Sequence, residues 1–108
     1  MKLDASELSR QMILAGADAF GERWEEARVF AEIEFRTIAA RLESFAHLTV
    51  HGLDSSLAGI LLDSQKRTAV QAIAAATALT LLAVEAAFNA VLAAVRDAVN
   101  AAIGFTLL

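Results

Sequence analysis

Glu43, His47 and His51 follow one another at four-residue intervals, which stacks a carboxylate and two imidazoles on one face of a helix. These are ordinary zinc and iron ligands, so a metal-binding helical bundle is one reading of the chain. The pattern is incomplete for a bundle metal site. Such sites draw Glu and Glu-x-x-His pairs from several helices, and neither histidine here has a glutamate three residues before it. The stripe also lies opposite Phe35, Ile38 and Leu42, on the side expected to face solvent, so no metal or cofactor is assigned. Glu85 is the second unusual group, a lone acid at the end of a long uncharged run. Buried, it would carry a raised pKa; on one stripe with Asn89, Arg96 and Asn100 it forms a solvated helix edge, which is the expected arrangement. Glycine-rich phosphate loops, nucleophile elbows and HExxH motifs are absent, and nothing in the chain points to an enzyme.

The 108 residues suffice for one domain, here 1–108, with a modest core. Proline is absent and glycine occurs five times, so few positions force a helix to stop. The expected class is all-α. A net charge of −4 with no basic stripe argues against nucleic acid as a partner. Without cysteine there are no disulfides, thiolate metal sites or cysteine nucleophiles. The N-terminus has no apolar stretch of signal-peptide length, and a cytoplasmic location is expected.

Asp4 or Ser6 caps a short helix over about 4–15, with Gly16 as its expected break. A long amphipathic helix follows over about 22–50. Trp24, Ala27, Ala31, Phe35, Ile38, Leu42 and Phe45 share one face, and the last four are spaced three, four and three, as in a coiled-coil seam. Val29, Phe30 and Ile33 fall off that seam and are expected to touch the N-terminal helix or a second subunit. The turn His51-Gly52-Leu53-Asp54 leads to a last helix that starts at Ser55 or at Ser64 and runs to about Ile103, ended by Gly104.

Only three of the 22 charged residues (Glu85, Arg96 and Asp97) come after Arg67. The last helix therefore has an apolar stripe (Val70, Ile73, Thr77, Leu81, Val84, Phe88, Val91, Val95, Val99) and a second, alanine-rich face including Ala83, Ala87, Ala90 and Ala94. A hairpin with the Trp24–Phe45 helix covers one of the two. The other calls for more protein or for lipid. The favoured architecture is thus a short N-terminal helix followed by a long antiparallel helical hairpin, packed into an oligomeric bundle. The corresponding function is a non-enzymatic structural or interaction protein. It associates with itself or with other subunits through Ala83, Ala87, Ala90, Ala94, Phe30 and Ile33. The alternative is a small membrane protein spanning the bilayer once at about 68–90, where the uncharged run falls just short of the usual length.

Overall fold

The computed structural model describes residues 3–48 and 54–108. They form four α-helices: α1 (Ala5–Phe20), α2 (Trp24–Leu48), α3 (Ser55–Ala76) and α4 (Leu81–Ile103), with a single 3₁₀ turn, Gly21–Arg23, between the first two. The 25 residues of α2 span roughly 37 Å at the helical rise per residue, and the whole molecule measures 42 × 23 × 18 Å. The helices therefore lie side by side. Two cross-helix hydrogen bonds fix their directions: the Ala5 N–H at the start of α1 donates to Glu43 near the end of α2, and the Ala78 N–H beyond α3 donates to Glu26 near the start of α2. The result is an up-down-up-down bundle in which α1 and α3 each touch both α2 and α4. The latter two face each other across the core, where the Phe35 and Phe88 rings sit 5.1 Å apart.

The α2 seam is as its spacing predicts. Ala27, Ala31, Phe35, Ile38, Leu42 and Phe45 are buried, and Trp24 is half-buried with its ring 5.9 Å from that of Phe20. Helix α3 starts at Ser55, with the Asp54 carboxylate accepting the Ser56 N–H at 2.8 Å. Gly104 ends α4 in the left-handed conformation at φ 94°, where a residue without Cβ is favoured. Beyond it, Asn100 Oδ1 accepts the Leu107 and Leu108 N–H groups and folds the apolar tail back onto the bundle.

Two expectations fail. Gly16 does not break α1, which continues to Phe20 and is closed by Gly21 at φ 58°. Gly16 is instead a contact position: a Cβ there would lie 2.6 Å from Phe35 Cε2. The expected single last helix is two helices, divided at Thr77–Thr80. Thr77 Oγ1 donates back to Ile73 O and accepts the Leu79 N–H, and Thr80 caps α4 by accepting the Ala83 N–H. Leu79, just before the cap, and Val84, four positions after it, are both buried, the arrangement of a hydrophobic staple. The break shifts the helical phase, so Leu79 enters the core while Leu81, expected there, is 51% exposed. It also divides the segment 68–90 proposed above as a bilayer span. No described helix is long and apolar enough to cross a membrane.

Candidate functional site

Of the Glu43–His47–His51 stripe, the structure describes Glu43 and His47. Glu43 is committed elsewhere: its Oε2 accepts the Ala5 N–H at 2.7 Å and so satisfies one of the unpaired amides at the start of α1. His47 is exposed, and His51 lies outside the described residues. No cluster of three metal-ligating side chains occurs among the described residues. Glu85 is exposed, as are Asn89 and Arg96 on the same edge, which is the solvated arrangement.

The acids with perturbed ionisation serve structure. Glu7 is held at about 2, well below its ordinary 4.5, by hydrogen bonds from the Arg10 guanidinium and then from Gln11. Glu26 is also lowered, first by the Arg23 guanidinium and second by the Ala78 N–H it accepts. Glu26 thus ties the start of α2 to the α3–α4 break.

More informative is what the bundle leaves uncovered. Phe30 and Ile33 are 39% and 56% exposed, and Val29 beside them is 59% exposed. The N-terminal helix was one expected cover for them, and it packs on a different side of α2. Continuing along that side, Thr37, Ala40, Ser44 and Leu48 are all exposed. Together with Phe30 and Ile33 they repeat at intervals of three and four, a second seam on the side of α2 away from the core. Thr37, Ala40, Ser44, Leu48 and Leu61 also line a shallow groove of about 350 Å³ between α2 and α3.

Helix α4 leaves a different surface. Ala83, Ala90 and Ala94 are exposed, but Ala87 is only 5% exposed and belongs to the chain's own core. Ala86 and Ala93 join the exposed set, and between Leu82 and Ala94 the only exposed charge is Glu85. Because α2 and α4 stand diagonally in the bundle, their outer faces point to opposite sides of the molecule.

Of the residues named from the sequence, Phe30, Ile33, Ala83, Ala90 and Ala94 are exposed and Ala87 is buried, while the exposed Thr37, Ala40, Ser44 and Leu48 were not singled out. Their signal was the repeat of three and four that begins at Phe30. No protein-family model matches the chain, and neither curated proteins nor solved structures provide a match.

Proposed function

We propose that the protein is a non-enzymatic helical bundle whose work is association. It assembles with copies of itself, or as a subunit of a larger assembly, through the alanine-rich outer face of α4. The observation that carries this reading is the exposed side of α4 from Leu82 to Ala94, which has five exposed alanines (Ala83, Ala86, Ala90, Ala93 and Ala94) and one charge. Small side chains admit a neighbouring helix at close range, where dispersion contacts accumulate over a long strip. Solvated helix faces in this chain look different: Glu7 with Arg10, and Asp63 with Arg67, form ion pairs along theirs.

Light-scattering mass measurements test the reading. Wild type is expected to be an oligomer. Ala90→Leu, which adds bulk to the face without lowering helix propensity much, should lower the subunit number through overpacking of about 1–3 kcal/mol per subunit. Ala19→Leu, at an exposed position of α1, should leave the mass unchanged. A monomeric wild type, or an oligomer that Ala90→Leu leaves intact, would rule out assembly through α4.

A further inference from the structure

From the outer seam of α2 we infer a second contact, in which α2 of another copy lies antiparallel to it across a two-fold axis. This rests on the self-association reading and adds a surface to it.

Three features of the seam select this occupant and this direction. The first is size. The bulky residues, Phe30 and Ile33, stand in the first half of the exposed seam, and the small ones, Ala40 and Ser44, in the second. A two-fold axis between Thr37 and Ala40 sets Ile33 against Ser44 of the second copy and Thr37 against its Ala40. Large then meets small at Ile33 and Ser44, while Phe30 falls between Ser44 and the bulkier Leu48. Parallel pairing would set Phe30 on Phe30 and leave Ser44 facing Ser44, with a void between them.

The second feature is the groove. The same axis carries Phe30 toward the level of Ser44 and Leu48 on the second copy, where Leu61 of α3 completes a hollow of about 350 Å³. An aromatic side chain that is exposed on one copy thus finds an apolar recess on the other, and by symmetry the exchange occurs twice.

The third feature is charge. Glu34 and Arg41 flank the seam on one side, one heptad apart and opposite in sign, and neither forms an ion pair among the described residues. Antiparallel coiled helices bring equivalent flanking positions together, so Glu34 of each copy meets Arg41 of the other. Parallel pairing would bring Arg36 toward Arg41 of the second copy, a like-charge contact.

Charge reversal tests the geometry, because all the altered side chains lie on the monomer's surface or its edge. Glu34→Arg alone and Arg41→Glu alone each place like charges together twice and should weaken association roughly ten-fold. An equimolar mixture of the two variants restores complementary pairs and should recover wild-type association as a mixed dimer, read by analytical ultracentrifugation. Ile33→Asp should abolish the contact while leaving the helical circular dichroism unchanged. A wild type that stays monomeric at every concentration overturns this proposal together with self-association. An oligomer indifferent to all three substitutions overturns the α2 surface and leaves association through α4 standing. Single variants that weaken association but do not recover on mixing overturn the antiparallel arrangement.

Discussion

Gly16→Ala and Gly59→Ala are the same chemical change in two helices, and the structure gives them opposite outcomes. Both positions lie inside a helix, and replacing glycine by alanine there is worth about 0.5–1 kcal/mol through the entropy removed from the unfolded chain. At Gly59 nothing lies within 4 Å of the new methyl group, so the full gain should appear as stabilisation. At Gly16 the methyl carbon would lie 2.6 Å from Phe35 Cε2, 3.1 Å from Cζ and 3.2 Å from Trp24 Cζ3. Carbon atoms in contact prefer about 3.5–4.0 Å, so the Phe35 ring must retreat by about 1 Å. It has nowhere to go: Phe35 is fully buried and its ring packs tilted against Phe88, with centroids 5.1 Å apart. Overpacking of this kind costs about 1–3 kcal/mol. Because the propensity gain is common to both variants, the difference between their stabilities isolates that cost. Urea denaturation at one fixed protein concentration measures it, with concentration held constant because association adds to apparent stability. A second cycle, Gly16→Ala with Phe35→Leu, should show coupling, since the smaller side chain relieves the collision. If Gly16→Ala proves as stable as Gly59→Ala, the α1–α2 packing described here is wrong.

Three further outcomes follow from individual contacts. Phe45→Ala should cost about 3–5 kcal/mol in thermal melts, because Phe45 is buried in the α2 seam, whereas His47→Ala should cost less than about 1 kcal/mol. Thr80→Ala removes the cap of α4 and should cost about 1 kcal/mol, read in the same melts. Glu7 and Glu26 have folded-state pKa values below their unfolded ones, so their stabilisation is present above the ordinary 4.5 and is lost as pH falls through the folded values, near 2 for Glu7. A Glu7→Gln, Glu26→Gln variant should therefore show a shallower loss of melting temperature than wild type between pH 4.5 and 2; an identical slope would contradict the assignment of those ion pairs.

The seam of α2 and the end of α4 at Gly104 are legible in the sequence because each has a local cause, a repeat of three and four and a glycine in the left-handed region; the start of α3 is legible only as Ser55 or Ser64, because an aspartate precedes both. The break at Thr77–Thr80 is not. Thr-Ala-Leu-Thr has neither glycine nor proline, and the partner that satisfies its Ala78 N–H is Glu26, 52 residues away in the sequence. The role of Gly16 is hidden in the sequence for a related reason. Its role depends on the Phe35 ring, which only tertiary packing brings to it. Of the uncovered α2 face, Phe30 and Ile33 stand out because bulky apolar residues off the main seam are conspicuous. Thr37, Ala40 and Ser44 become part of a surface only once it is known which side of α2 the other helices leave bare.

The two outer faces should differ in strength, and that difference sets an order of assembly. Burial stabilises by roughly 25 cal/mol for each Å² of apolar surface removed from water. Phe30, Ile33 and Leu48 of the seam expose 39%, 56% and 43% of large side chains, so an α2 contact removes much area per residue. The exposed alanines of α4 offer one methyl group each, and their contact depends on close approach along the whole helix. On dilution the α4 contact should therefore dissociate first, leaving a dimer held through α2. A light-scattering titration would resolve this as two steps of mass. Ala90→Leu should remove the step at higher concentration and Ile33→Asp the one at lower concentration. The reverse assignment, with Ile33→Asp acting only on the weaker step, would mean that the alanine face supplies the tighter contact and that apolar area is not what ranks these surfaces.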